Sequence, residues 1–450
     1  MGGVRETVPA PGFGAFVILW AGQFVSLTGS SLSSFALGVY VYQQTGSATA
    51  LGIIYALAGL PFLVASPFTG SLVDRWGAHR SLLVGNIGAL LVTLVLAGLL
   101  GMDVFVPWHV SVIVAALSAL SALDTPAFEA SVPLLVAKRH IGRANGLRLI
   151  AQGTSRILAP LAAGFLLLAI GIEGIVVMDC LSFAAGIVTL LFVRIPLARR
   201  SGAPVPARAG ALLAEFRSAL RYVADRPGLP ALLGFLAVLE FCGGIVDLSM
   251  TPLVLSFGSS GDLGVVLSIG GAGMAVASLA VTAWGGPRRR VRGILGFTLV
   301  LAAATVLGSL RPNLTLIAAA AVFFLGGLAI VIGSNKTLWQ TKVEPRLLGR
   351  VMALQNMVVS VPQMLAYASA GLIADYLFVP LAGPDRVRGP VLAALIGDGH
   401  DRGVALMMMV TGVVLAVAVL VAYRYPPLRR LEDELPDVTP EDEPAAQALS

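Results

Sequence analysis

The chain has 450 residues, 57% of them hydrophobic and 12% charged, with a formal net charge of +6 and a mean hydropathy of +0.89. A soluble domain carries roughly 25% charged residues, so this composition excludes a globule surrounded by water and makes the bilayer the main solvent. The basic residues sit in short loops between apolar runs, which indicates a lipid bilayer and no nucleic acid as partner.

About 20 apolar residues suffice for one crossing, and such runs fall at about 15–42, 48–72, 81–101, 108–129, 147–170, 174–194, 229–256, 262–284, 293–310, 314–338, 351–378 and 403–423. Backbone in hydrocarbon must satisfy its own hydrogen bonds, so each run is expected to be helical. The fold class is therefore an all-α polytopic membrane protein, with about twelve transmembrane helices in two pseudo-symmetric six-helix bundles. The first run is too long for a signal-peptide core and lacks a basic leader. Glu6 stands where myristoylation needs Ser or Thr.

The expected organisation is an N-terminal bundle over 1–194, a cytoplasmic linker over 195–228, a C-terminal bundle over 229–425 and an acidic disordered tail over 426–450. In the linker Leu212, Leu213, Phe216, Leu220 and Val223 recur at helical spacing, with Glu215, Arg217, Arg221 and Asp225 opposite. That pattern predicts an amphipathic helix at the inner membrane surface, or else a soluble linker helix. Pro426 and Pro427 end the last span, and the acidic run from Glu432 to Glu443 predicts disorder. Arg75, Arg80, Lys138, Arg139, Arg143, Arg199, Arg200, Arg288, Arg289, Arg290, Lys342, Arg346 and Arg350 all fall in the even-numbered loops. The odd loops are nearly bare, apart from Arg386, Arg388 and Arg402, which Asp385, Asp398 and Asp401 offset. This places both termini in the cytoplasm of a cell (inner) membrane protein.

An internal repeat supports the two halves. Val136, Arg139, Gly142, Arg143 and Leu147 match Val343, Arg346, Gly349, Arg350 and Leu354 at a constant offset. The same offset carries Ala163-Gly164 onto Ala370-Gly371. Matched six-span halves in parallel orientation are a transporter architecture.

Four stretches carry a resemblance to a known family. Gly70-Ser-Leu-Val-Asp74-Arg75-Trp-Gly77-Ala-His-Arg80 follows span two. Gln23-Phe-Val-Ser26-Leu-Thr-Gly29-Ser30 lies in span one, followed by Thr45-Gly46-Ser47-Ala48. Thr125-Pro126-Ala127 leads through Val132-Pro133 to Gly142-Arg143-Ala144-Asn145. Gly153-Thr-Ser-Arg156-Ile-Leu-Ala159-Pro160-Leu-Ala-Ala163-Gly164 lies in span five. Together they resemble the major facilitator superfamily, most closely its bacterial twelve-span drug, macrolide and siderophore exporter branch. The resemblance implies that Gly70, Asp74, Arg75, Gly77 and Arg80 form the inner-gate motif, although Ala78 and His79 replace its paired basic residues. It also implies that Gly153, Pro160 and Gly164 form the antiporter-type motif, with Ala159 in place of the usual Gly. Both point to a secondary active transporter, a proton-coupled antiporter that exports a small amphipathic compound by alternating access. The expected partners are a small-molecule substrate and protons, and the expected state is a monomer. The alternative is a transport-inactive receptor or regulatory protein of the same fold.

A charge inside a span is costly and is a functional candidate by default. Glu240 falls near the middle of span seven, and Asp247 follows two turns later on the same face. These two are the expected proton-coupling carboxylates. Arg156 in span five, Asp124 in span four and Lys336 in span ten are the expected cavity residues or charge partners, because the resemblance implies that spans one, four, seven and ten line the pathway. Arg156 is a candidate ion-pair partner of Glu240. Asp179 and Asp375, near outer span ends, are expected to reach for the interface.

No cofactor, metal or enzymatic activity is expected. Cys180 and Cys242 fall inside apolar runs, and the four histidines lack ligand spacing. The chain has no P-loop run. Gly271 and Gly273 lie in an apolar span with no strand before them, so helix packing accounts for them.

Overall fold

The computed structural model describes residues 12–102, 106–137, 140–193, 195, 209–381 and 402–435. Asp103, Lys138, Arg139, Arg199, Arg200, the Pro-rich part of the linker, the loop over 382–401 and the acidic residues after 435 lie outside these residues. The helices are α1 (Phe13–Thr45), α2 (Ala48–Trp76), α3 (Ala78–Gly101), α4 (Pro107–Leu135), α5 (Ile141–Phe192), α6 (Ala209–Ala224), α7 (Leu229–Leu255), α8 (Ser260–Trp284), α9 (Arg290–Leu310), α10 (Leu314–Lys342), α11 (Pro345–Ile373) and α12 (Arg402–Arg424). A π-helical turn, Ala374–Phe378, continues α11.

Among the described residues eleven helices are long and apolar enough to cross a membrane. One of them is double. As a single rod the 52 residues of α5 would run about 78 Å, against a hydrocarbon thickness of about 30 Å. The helix breaks at Gly171, where φ is 69° and ψ −176°, a conformation that glycine adopts without a Cβ clash. The two legs then run in opposite directions along α1. Trp20 and Thr28 meet Leu147 and Ser155 of the first leg, whereas Gly22 and Gly29 meet Thr189 and Ser182 of the second. With α5 counted twice, the candidate crossings among the described residues number twelve. Large side chains such as Leu181, Leu191, Val276 and Leu279 are exposed, the reverse of a soluble protein and the rule where lipid is the solvent.

The chain divides into two compact units, one of residues 1–46 and 56–207, the other of 47–55 and 208–450. Residues 47–55 therefore group with the second unit, not with the first bundle as the 1–194 boundary implied. The physical reason is a helix cap: Asp375 accepts hydrogen bonds from Ser47 Oγ (2.8 Å), Ala48 N (3.1 Å) and Thr49 N (2.9 Å) at the start of α2.

The first unit packs an apolar core at one end around Phe16, Leu19, Leu82, Phe128 and Leu190. In the second unit the core runs through α7, α9, α10, α11 and α12 and takes in α6 through Ala219, Tyr222 and Val223. The amphipathic helix thus forms and is held by protein. Tyr222 Oη accepts from Glu344 N (3.2 Å), and Arg226 stacks on the Tyr222 ring and pairs with Glu344 at 2.9 Å. Leu220, expected on the apolar face, stays exposed, and the side chains of Leu212 and Leu213 lie outside those described.

The start of the tail corrects the expectation of disorder from 426 onward. Two helical turns, Pro426–Arg429 and Leu431–Glu434, follow α12 and bury Leu428 and Leu431 in the core of the second unit. The Glu432 carboxylate accepts from Arg290 N (2.7 Å) and Val291 N (3.0 Å). No side chain caps the start of α9 from Arg289, so its first amides are orphans until Glu432 reaches them. Lys342 Nζ donates to the carbonyls of Glu432 and Leu435. Gly228, at φ 85°, leaves room for the Pro427 carbonyl against its Cα.

Loss of this cap has a measurable effect. Glu432→Ala is expected to destabilise the protein by about 1–2 kcal/mol, read as a lower apparent unfolding temperature in detergent. Glu434→Ala, at an exposed position one turn end away, should leave that temperature unchanged.

Candidate transport site

The first unit holds a cavity of about 300 Å³. Its wall on α1 follows from helical periodicity, since Ser26, Ser30 and Ser33 recur at the spacing that stacks residues on one face. Gly22 and Gly29 share that side, and a Cβ on either would overlap Thr189 or Ser182 on the second leg of α5. Close approach therefore sets a polar stripe of α1 against a polar stretch of α5. Trp20 and Phe24 stack at 5.6 Å with an interplanar angle of 3°, and with Phe128 and Phe183 they give the cavity aromatic walls.

Two carboxyl groups line this cavity, those of Asp124 and Asp179. Asp124 Oδ1 is buried against α3, where a Cβ on Gly85 would come within 2.7 Å of it, and among the described residues it has no hydrogen-bond partner. Asp179 is only 1% exposed, so it does not reach for the interface as expected. Arg148, on the same wall, is engaged with Glu129 at 2.7 Å.

The second unit carries the expected coupling pair on α7. Tyr367 Oη donates to Asp247 Oδ2 at 2.7 Å, and Gln363 Nε2 donates to that hydroxyl at 3.1 Å. The ring of Tyr55 meets Tyr367 edge-on, 5.4 Å away at 84°. Glu240 is half-buried, lies within electrostatic reach of the Tyr367 hydroxyl, and makes no hydrogen bond or ion pair among the described residues. Tyr367 thus engages Asp247 directly.

Of the other expected residues, Arg156 belongs to the first unit and Glu240 to the second. Arg156 and Lys336 are exposed and form no ion pair among the described residues. Asp74, Arg75 and Arg80 are exposed too, again without an ion pair among those residues. Gly77 starts α3 at φ 82°, and Gly70 has open space around its Cα. In the antiporter-type stretch Gly153 is open, Gly164 is buried and the backbone stays helical through Pro160, with its break at Gly171 instead.

Three features escaped the sequence: Asp179 as a cavity residue, Tyr367 as the partner of Asp247, and Asp375 as a cap. The first left a trace, because serines at helical spacing in an apolar span face an Asp179–Ser182 pair at the same spacing. The other two join residues 120 and more positions apart and leave no local pattern.

Known proteins agree with this architecture. The profile of the Major Facilitator Superfamily matches residues 19–367. Macrolide efflux protein A of Streptococcus pyogenes is 26% identical over 372 residues, 81% of this chain and 90% of that protein. The multidrug efflux pump Tap of Mycobacterium tuberculosis is 27% identical over 442 residues, 93% of this chain and 94% of that one. Among solved structures, a bacterial homolog of the human lysosomal transporter Spinster superposes with a TM-score of 0.68 at 15% identity, covering 95% of this chain and 98% of its own.

The cap on α2 gives a test within the second unit. Asp375→Ala removes a charged acceptor from three donors and is expected to cost about 2 kcal/mol or more, seen as a lower apparent unfolding temperature. Asp375→Asn, which keeps one carbonyl acceptor, should lose less.

Proposed function

We propose that this chain, which belongs to the Major Facilitator Superfamily and is a multi-pass membrane transporter, works as a proton-coupled antiporter that exports small amphipathic compounds. The observation that carries this reading is the set of carboxyl groups in membrane-spanning helices that form no ion pair among the described residues: Asp124 in the first unit and Glu240 in the second. A charge held permanently in a span normally keeps an opposite charge beside it. A carboxyl group without one is suited to taking up and releasing a proton as the environment changes.

Glu240 and Asp247 are the coupling pair in this reading. The Tyr367 hydroxyl, donating to Asp247 and held by Gln363, would orient that carboxylate and pass on the effect of a proton arriving at Glu240. Asp124 and the aromatic walls of the first-unit cavity would receive the cargo, apolar body against Trp20, Phe24 and Phe128, polar group toward the carboxyl. Drug-like compounds, natural products and siderophores all suit such walls. Asp74, Arg75 and Arg80 serve as the inner-gate latch, and Gly153, Pro160 and Gly164 favour antiport. Arg156 and Lys336 tune the field along the pathway. The relatives named as efflux proteins support export, and the basic even loops support cytoplasmic termini in the cell (inner) membrane. The transporter acts as a monomer.

Everted membrane vesicles test the coupling. An imposed proton gradient should drive accumulation of a fluorescent cargo dye by the parent chain, and Glu240→Gln should abolish most of that pH-driven uptake while the protein remains inserted. Undiminished pH-dependent transport by Glu240→Gln would remove Glu240 from the coupling role.

A further inference from the structure

The second leg of α5 buries a carboxyl group among hydroxyls. Asp179 is 1% exposed, and the side chains of Ser30 and Ser33 from α1 and of Ser182 from the next turn of α5 all bear on its carboxyl group. Ser182 Oγ lies 3.2 Å from Asp179 Oδ1 and donates to the Asp179 carbonyl at 2.8 Å. Among the described residues, two oxygens of this cluster lack a hydrogen-bond partner at bonding geometry: Asp179 Oδ2 and Ser33 Oγ, the latter only 3% exposed. Asp179 forms no ion pair among the described residues. The other charged side chains on the same cavity are Asp124 and Arg148, and Arg148 is engaged with Glu129.

We propose that Asp179, Ser30, Ser33 and Ser182 form a binding site for a sodium ion. The donor set is oxygen alone, two from the carboxylate and three from hydroxyls, which suits a hard cation and not a transition metal. A single carboxylate matches a single positive charge, whereas calcium and magnesium sites draw on more acidic or carbonyl ligands. Among the described residues no group of three His, Cys, Asp or Glu side chains gathers to hold a metal, so a divalent site is not offered here. The nest is also small. A Cβ on Gly29 would stand 3.0 Å from Asp179 Oδ1, so α1 packs closely against this carboxyl group. Sodium, close to calcium in size, takes oxygens at about 2.4 Å and would engage both unpartnered oxygens at once.

The consequence is a division of labour between the two carboxyl groups of the cavity. With sodium bound, Asp179 is neutralised and α1 is tied to the second leg of α5, and Asp124 is the carboxyl group left facing the cavity. This site is independent of proton-coupled export and requires no transport to detect.

Thermal unfolding of the purified full-length chain in detergent tests it, with NaCl titrated against KCl and choline chloride at equal ionic strength and at several pH values. Sodium should raise the unfolding temperature saturably where potassium and choline do not. The response should be lost in Asp179→Asn, be severalfold weaker in Ser33→Ala, which keeps the buried charge, and persist in Asp124→Asn. Equal curves for the three salts in the parent chain overturn the site. So does a sodium response unchanged in Asp179→Asn, or unchanged in Ser33→Ala where Asp179→Asn fails to fold. Stabilisation by acid alone, abolished by Asp179→Asn and indifferent to sodium, assigns the nest to a proton and equally overturns the sodium site. Because no arm reads transport, a failure here leaves the export reading standing, and a failed vesicle assay leaves the sodium site standing.

Discussion

In hydrocarbon a polar group that the protein does not satisfy is not satisfied at all. Helix interiors meet this constraint automatically, but helix ends and charged side chains do not. The ends of α8 and α10 are closed locally: Ser259 Oγ accepts from Asp262 N at 3.2 Å, and Asn313 Oδ1 accepts from Leu316 N at 3.1 Å. The starts of α2 and α9 are closed from far away in sequence, by Asp375 and Glu432. Asp375 caps α2 where residues 47–55 pack within the second unit, and the Glu432 cap accompanies the burial of Leu428 and Leu431 at the start of the acidic tail.

The same constraint shapes the interior of the first unit. Gly22, Gly29 and Gly85 let helices approach until a Cβ would collide with Thr189, Ser182 or Asp124. Without water to fill a gap, such proximity is what allows Ser30, Ser33 and Ser182 to serve one carboxyl group. Small residues that read in sequence as packing devices therefore also set the chemistry, because a larger residue at Gly29 would separate the two polar faces.

This explains what was legible. The spans were legible because hydropathy records the solvent directly, and even the Gly171 break showed as two adjacent runs ending at 170 and beginning at 174. Family motifs were legible as residue strings, and Glu240, Asp247 and Asp124 stood out as charges in apolar runs. Their surroundings did not. Composition assigns Glu432 to a disordered tail because it counts acids and cannot see the uncapped amides of Arg290 and Val291. Depth assigns Asp179 to an interface because it measures distance along the helix and cannot see the serines across from it.

Both units carry carboxyl groups in their spans, but in different company. Asp247 is held by a phenol that a glutamine orients, with the Tyr55 ring edge-on beside Tyr367, a setting in which hydrogen bonding selects one geometry of the carboxyl group. Asp124 and Asp179 meet glycines and serines, a setting that leaves oxygens unpartnered and so open to a cation. The internal repeat preserved the helical frame and the Gly-Arg loops, whereas the side chains that must answer for each carboxyl group come from contacts the repeat does not encode. Symmetry in the backbone and asymmetry in the polar interior are thus compatible, because the bilayer constrains every helix alike and each buried charge separately.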